Sequence, residues 1–182
     1  MLPCSLVPVL VPYLRAMDFL QRQRLDDLFF EADQLIKEKR ITEAFSTLEV
    51  ILVEAPDYGR AYNHLGWIYE TQYKDYKKAE EMYRKCLVLD PEYTPIYLNT
   101  SFLFSTLGKH QEQFELMQKA LEVPGIDKPQ AYNEMAIACE MMGRYDEAIE
   151  HYKMAARLTL VDANIDVYLG SVERCKKKKN IL

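Results

Sequence analysis

The chain has 182 residues, enough for one domain with a respectable core or one short array of repeats. Composition is 49% apolar and 28% charged, which excludes a wholly disordered chain. Net charge is −5, and four of the positive charges stand together at Lys176–Lys179, so the body is more acidic still. Such a body excludes an extended nucleic-acid surface, which needs Lys and Arg clustered along one face.

The chain opens on "MLPCSLVPVLVPYLRA", an apolar stretch with a single charge, Arg15. A secretion signal places its positive charge ahead of the apolar run, not after it. A membrane span needs about 20 apolar residues. Pro3, Pro8 and Pro12 oppose a helix, so residues 1–17 are expected to form a disordered or extended extension, with Met17 a candidate true start.

From residue 18 onward the pattern is helical and repeated. Small residues recur at Ala32, Gly66, Ser101 and Ala136, at intervals of 34, 35 and 35. Twelve or thirteen residues after each stand Ala44, Ala79, Gln113 and Ala148, and then Ile51, Cys86, Ala120 and Ala155. Large residues alternate with them: Leu28, Tyr62, Tyr97 and Tyr132 before the first small residue, and Leu48, Tyr83, Met117 and Tyr152 in the second half. "KEKR", "QYKD", "LGKH" and "MGRY" divide the halves, and Pro56, Pro91 and Pro124 close three units. Each unit therefore reads as two antiparallel amphipathic helices that cannot bury their apolar faces alone. The spacing predicts units at about 25–57, 58–93, 94–126 and 129–161.

The ends are marked by polarity. The stripe that would face a preceding unit is Asp27, Glu31 and Gln34 in unit one, so the array begins there. "ANIDVYLGSVERC" keeps the register at Gly170 and predicts a capping helix over about 162–176. Its Ile165, Leu169 and Val172 are expected to pack on unit four, while Asp166 and Glu173 face solvent where a second helix is missing. Residues 177–182 form a basic tail, expected to be solvated and disordered.

"AYNHLGWIYE" through "LDP" and "AYNEMAIACEMMGRYDEAIEHYKMA" resemble the tetratricopeptide repeat. Units one and three are looser, with Glu31 and Thr100 at the usual Leu, Gln113 at an Ala and Ile51 at a small residue. The resemblance implies an all-α, right-handed superhelical α-solenoid of about four helix pairs plus a C-terminal capping helix. It also implies a concave face lined by the first helix of each unit. Here that face is expected to form a peptide-binding groove from Phe29, Asp33, Arg60, Asn63, Trp67, Glu70, Leu98, Phe102, Asn133 and Ile137. Phe29, Trp67 and Phe102 stand out as anchors. The Lys and Asn residues with which some family members clamp a chaperone's terminal carboxylate are matched only by Asn99.

No nucleophile elbow, phosphate loop, metal-ligand spacing or cofactor motif occurs, so catalytic residues, metal and cofactors are all expected to be absent. The four cysteines are scattered without a Cys-x-x-Cys pair and read as reduced cysteines of a cytoplasmic protein. The reading is an adaptor that binds a protein or peptide partner, with no nucleic acid and no membrane span. Residues 1–16 are a candidate occupant of its groove, and oligomerisation is the other way to cover it. A dedicated chaperone or assembly factor of a bacterial secretion or envelope system, and a structural subunit of a larger complex, stay open as alternatives.

Overall fold

The computed structural model describes the backbone of residues 7–181 and the side chains of residues 19–181. Nine α-helices and no strand occur among the described residues: α1 Val7–Lys37, α2 Ile41–Glu54, α3 Gly59–Ile68, α4 Tyr76–Leu89, α5 Pro95–Thr106, α6 His110–Ala120, α7 Lys128–Met141, α8 Tyr145–Leu158 and α9 Asp162–Lys179. Helices α1/α2, α3/α4, α5/α6 and α7/α8 are neighbouring pairs stacked in chain order, with α9 against α8. The chain is an all-α solenoid.

Close approach at the small residues joins each pair. Ala32, Ser101 and Ala136 are wholly buried, as are Ala44, Ala79 and Ala148 on the second helices. Unit two is the tightest: a Cβ built on Gly66 would lie 2.4 Å from Cδ1 of Tyr83. Tyr83 is itself fully buried and donates its hydroxyl to Glu70 at 2.7 Å, so the ring has no room to yield. Neighbouring units are held by a second recurring contact. The hydroxyls of Tyr62 and Tyr97 donate to the carbonyls of Pro56 and Pro91 at 2.9 and 2.8 Å, tying each first helix to the turn before it.

Every turn within a pair contains one left-handed residue: Lys39 (φ 63°), Lys74 (φ 56°), Gly108 (φ 70°) and Gly143 (φ 75°). In units one, three and four it falls seven residues after the small residue, and in unit two eight. The extra residue is absorbed by a π-helical turn at Tyr69–Tyr73 that follows α3 directly. Its signature is the closing bond. Arg40, Lys109 and Arg144 reach back five residues to a carbonyl, whereas Asp75 reaches back six, to Tyr69, at 2.9 Å.

Three expectations are corrected. The apolar N-terminus is not extended over its described part, because α1 begins at Val7 and runs for 31 residues. Pro8 lies in its first turn, where the missing N–H is no loss, which leaves only Pro12 inside. Residues 1–6 lie outside the described residues. A helix continuous with the one that carries Phe29 extends residues 7–16 along its own axis, which does not suit them as an extended guest of the groove.

The cap is rotated from its expected setting. Tyr168, Ser171, Val172 and Cys175 are buried and Ile165 is half-buried, while Leu169 is 45% exposed. The rotation brings Arg174 and Lys178 over Glu140 of α7. Arg174 donates twice, at 2.8 and 2.7 Å, and Lys178 once, at 2.8 Å. Nor is the lysine run a loose tail. It completes the last turn of α9, where positive charge complements the helix dipole, and Lys179 pairs with Asp146 at 2.6 Å.

Three outcomes follow for stability. Gly66→Ala should lower stability by about 1–3 kcal/mol in thermal or urea melts, the usual cost of overpacking. Deleting Gln72 should be tolerated, at less than about 1 kcal/mol, because it restores the seven-residue turn of the other units. Deleting Thr106 from the regular turn of unit three should cost several times more. Hydrogen bonding from Arg174, helped by Lys178 and Tyr152, holds Glu140 down from 4.5 to about 2 against its burial. A lowered carboxylate contributes stability above its unfolded value and loses it as pH falls through the folded one. The Tm gap between the native chain and Glu140→Gln should therefore be full above about pH 4.5 and close towards pH 2.

Candidate functional site

The first helices α1, α3, α5 and α7 present the stripe expected to line the groove. Phe29 on α1 is half-buried, with its ring edge-on to His64 (4.5 Å, 70°) and tilted against Tyr58 (5.7 Å). Asp33 pairs with Lys37 at 2.6 Å and lies 3.4 Å from Nε2 of His64. Burial works to raise the Asp33 carboxyl, but the hydrogen bonds from Lys37 and His64 outweigh it and hold it below its usual value. Burial pushes His64 the other way, below the usual imidazole value, against the pull of Asp33. Arg60 is exposed, pairs with Asp90 at 3.1 Å and lies over the Tyr93 ring.

Farther along, Asn63 is buried and accepts a hydrogen bond from Asn99 at 2.8 Å, linking α3 to α5. Trp67 is half-buried and packs on the apolar core shared by units one and two. Leu98 and Ile137 pack similarly on the cores of units two to three and of unit four. Glu70 lies in the π turn, partly exposed, as the acceptor for Tyr83. Phe102 differs from all of these: it is 46% exposed and belongs to no core cluster.

On α7 the polar stripe turns inward. Glu134 is buried and accepts from Gln130 (2.9 Å), Asn133 (3.3 Å), Ser101 (3.2 Å) and Gln113 (3.1 Å). Burial raises this carboxyl above its usual value, and the four hydrogen bonds offset only part of that. Asn133 is thus committed to Glu134 and is less available to a guest than sequence suggests. Gln113 belongs to this joint, and its amide oxygen, like the Thr100 hydroxyl, is buried without a partner. Of the residues expected to line a groove, Asn133 is the one drawn into this network.

Sequence reasoning missed His64, which joins Phe29 to Asp33, and the pairing of Glu70 with Tyr83. The second left a signal: unit four carries a similar pair, in which Tyr152 donates to Glu140 at 2.9 Å. A separate cleft of about 530 Å³ opens beside Leu25, Tyr58 and Gly59. Three acids of its lining have partners, Glu54 in Arg24, Asp26 in the Tyr58 hydroxyl and Asp90 in Arg60. Among the described residues no His, Cys, Asp and Glu cluster could hold a metal ion, and no helix is long and apolar enough to cross a membrane.

Tetratricopeptide-repeat models match residues 59–93 and 129–158. The chain is 35% identical over 82 residues to small glutamine-rich tetratricopeptide repeat-containing protein 2 of Mycosarcoma maydis, covering 44% of this chain and 22% of that protein. It is 26% identical over 119 residues to anaphase-promoting complex subunit 7 of Dictyostelium discoideum, covering 65% of this chain and 20% of that one. The chain thus spans about a fifth of the length of these relatives. Among solved structures, PilF of Pseudomonas aeruginosa superposes with a TM-score of 0.76 at 15% identity, covering 86% of this chain and 71% of that one. MamA superposes at 0.64 and 20% identity, covering 78% and 81%. These two likenesses speak for the fold alone. With the small-residue periodicity, the paired helices and the two matched repeats together, the chain belongs to the tetratricopeptide-repeat family of protein-interaction scaffolds.

Proposed function

We propose that the chain is an adaptor that holds an extended, aromatic- or aliphatic-bearing segment of a partner protein along the inner face of α1, α3 and α5. The exposure of Phe102 carries this reading. A phenylalanine that is 46% exposed on the stripe of Leu98 and Trp67 contributes little to the fold and offers a guest a large rigid apolar surface. The hydrogen bond between Asn63 and Asn99 fixes the spacing of α3 and α5, so the face is already formed before a guest arrives. Trp67 and Leu98 supply the flanking apolar walls, each anchored in the core behind it.

The anchors separate experimentally. Phe102→Ala should leave the melt within about 0.5 kcal/mol of the native chain, as a surface change does. Peptides selected from a random display library on the native chain should bind Phe102→Ala at least about tenfold more weakly, the loss expected of a central anchor. Trp67→Ala should weaken binding and stability together, because its ring also packs on the core. Selected peptides that bind Phe102→Ala with unchanged affinity would overturn the reading.

A further inference from the structure

Units two and four place a glutamate four residues after the small residue, Glu70 after Gly66 and Glu140 after Ala136. Each glutamate accepts the hydroxyl of a buried tyrosine from the second helix, Tyr83 at 2.7 Å and Tyr152 at 2.9 Å. In unit four this pair has an occupant. Arg174 brings Nε and Nη2 to the two carboxylate oxygens at 2.8 and 2.7 Å, with Nη2 also 3.3 Å from the Tyr152 oxygen. Its guanidinium carbon lies 5.9 Å from the centre of the Tyr152 ring.

In unit two, among the described residues, no cation pairs with Glu70. The repeat explains why. Arg174 stands four residues after Gly170, and the matching position on α5, four after Ser101, is Ser105. A serine side chain is too short to span to the preceding unit. Glu70 is left partly exposed, whereas Glu140 under its arginine is buried. One helical turn before Glu70 is Trp67, an aromatic suited to lie against a guanidinium.

We propose that Glu70, oriented by Tyr83 and flanked by Trp67, is a subsite for an arginine side chain of the partner segment, bound as Arg174 is bound by Glu140 and Tyr152. The planar fork of a guanidinium matches a carboxylate in two parallel hydrogen bonds, which a lysine cannot reproduce. The other acid expected on this face, Asp33, already has Lys37, which leaves Glu70 for a guest. This inference rests on the inner face being the peptide-binding surface and adds the chemistry of one side chain to it.

The test uses two pentapeptides, acetyl-Ala-Phe-Arg-Phe-Ala-amide and the same peptide with neutral citrulline in place of arginine. Trp67, the only tryptophan, reports binding through its emission. The arginine peptide should bind the native chain about tenfold or more tightly than the citrulline peptide, as expected for a charge-assisted pair. That preference should vanish in Glu70→Gln, which keeps an acceptor for Tyr83. It should vanish also in Ser105→Arg, which supplies the arginine from within, as α9 does for unit four, and that variant should melt higher than the native chain. Equal binding of both peptides would overturn the arginine subsite and leave the groove reading in place. An arginine preference that persists in both variants would place the cation elsewhere and overturn the subsite equally. Absence of any emission change, while display-selected peptides still depend on Phe102, would sink the subsite alone. Loss of the Phe102 dependence would remove the groove reading beneath it.

Discussion

Everything in this solenoid depends on how closely the two helices of a unit approach, and the contact of Tyr83 with Gly66 sets that limit most sharply. A glycine in a helix interior costs roughly 1 kcal/mol against alanine, and here it removes the atom that would collide with the ring. The ring in turn fills the space between α3 and α4 and carries its hydroxyl out to Glu70. One packing decision thereby orients a carboxylate on the inner face. In the proposed reading, stability and the chemistry offered to a partner come from the same pair of residues.

The π turn protects that arrangement. An extra residue in a helical hairpin must either rotate the first helix by about 100° or be absorbed locally. Absorption at Tyr69–Tyr73 leaves Ala61, Leu65 and Ile68 buried against unit one and keeps Asn63 in reach of Asn99. The displaced backbone is secured by the Thr71 hydroxyl, which donates to the carbonyl of Trp67 at 2.8 Å. Residues of the proposed groove and residues that make the stack therefore stay in register on either side of the insertion.

The architecture was legible because burial repeats. Ala32, Ala44 and Ile51, with their partners in the later units, are fixed by contacts that recur at the same spacing, so one chain supplies several readings of one rule. What was not legible occurs once. The roll of α9 that exposes Leu169 and buries Tyr168 is set by Arg174 and Lys178 reaching Glu140, a contact with no counterpart among the described residues before it. The fate of Asn133 was hidden for the same reason, since only the conjunction of Ser101, Gln113 and Glu134 turns it inward. Helix formation over Val7–Met17 was misjudged by counting prolines without asking which of them fell in a first turn.

The two glutamate–tyrosine pairs show how a repeat array can use one device for two ends. After unit four comes α9, whose Arg174 and Lys178 close the Glu140 pair, so this junction is held by charge as well as by Tyr168 and Val172. In the middle of the array the following unit packs through Ile96 and Leu103, and the hydrogen bond of Asn99 to Asn63 and the ion pair of Lys109 with Glu80 add to that, so unit two needs no arginine from α5 to be held. Freed from that structural task, the Glu70 carboxylate keeps the orientation that the buried tyrosine imposes and keeps its partial exposure. A preoriented, partly desolvated carboxylate beside an aromatic ring is a poor arrangement for a surface with no guest and a good one for a surface that waits for a cation.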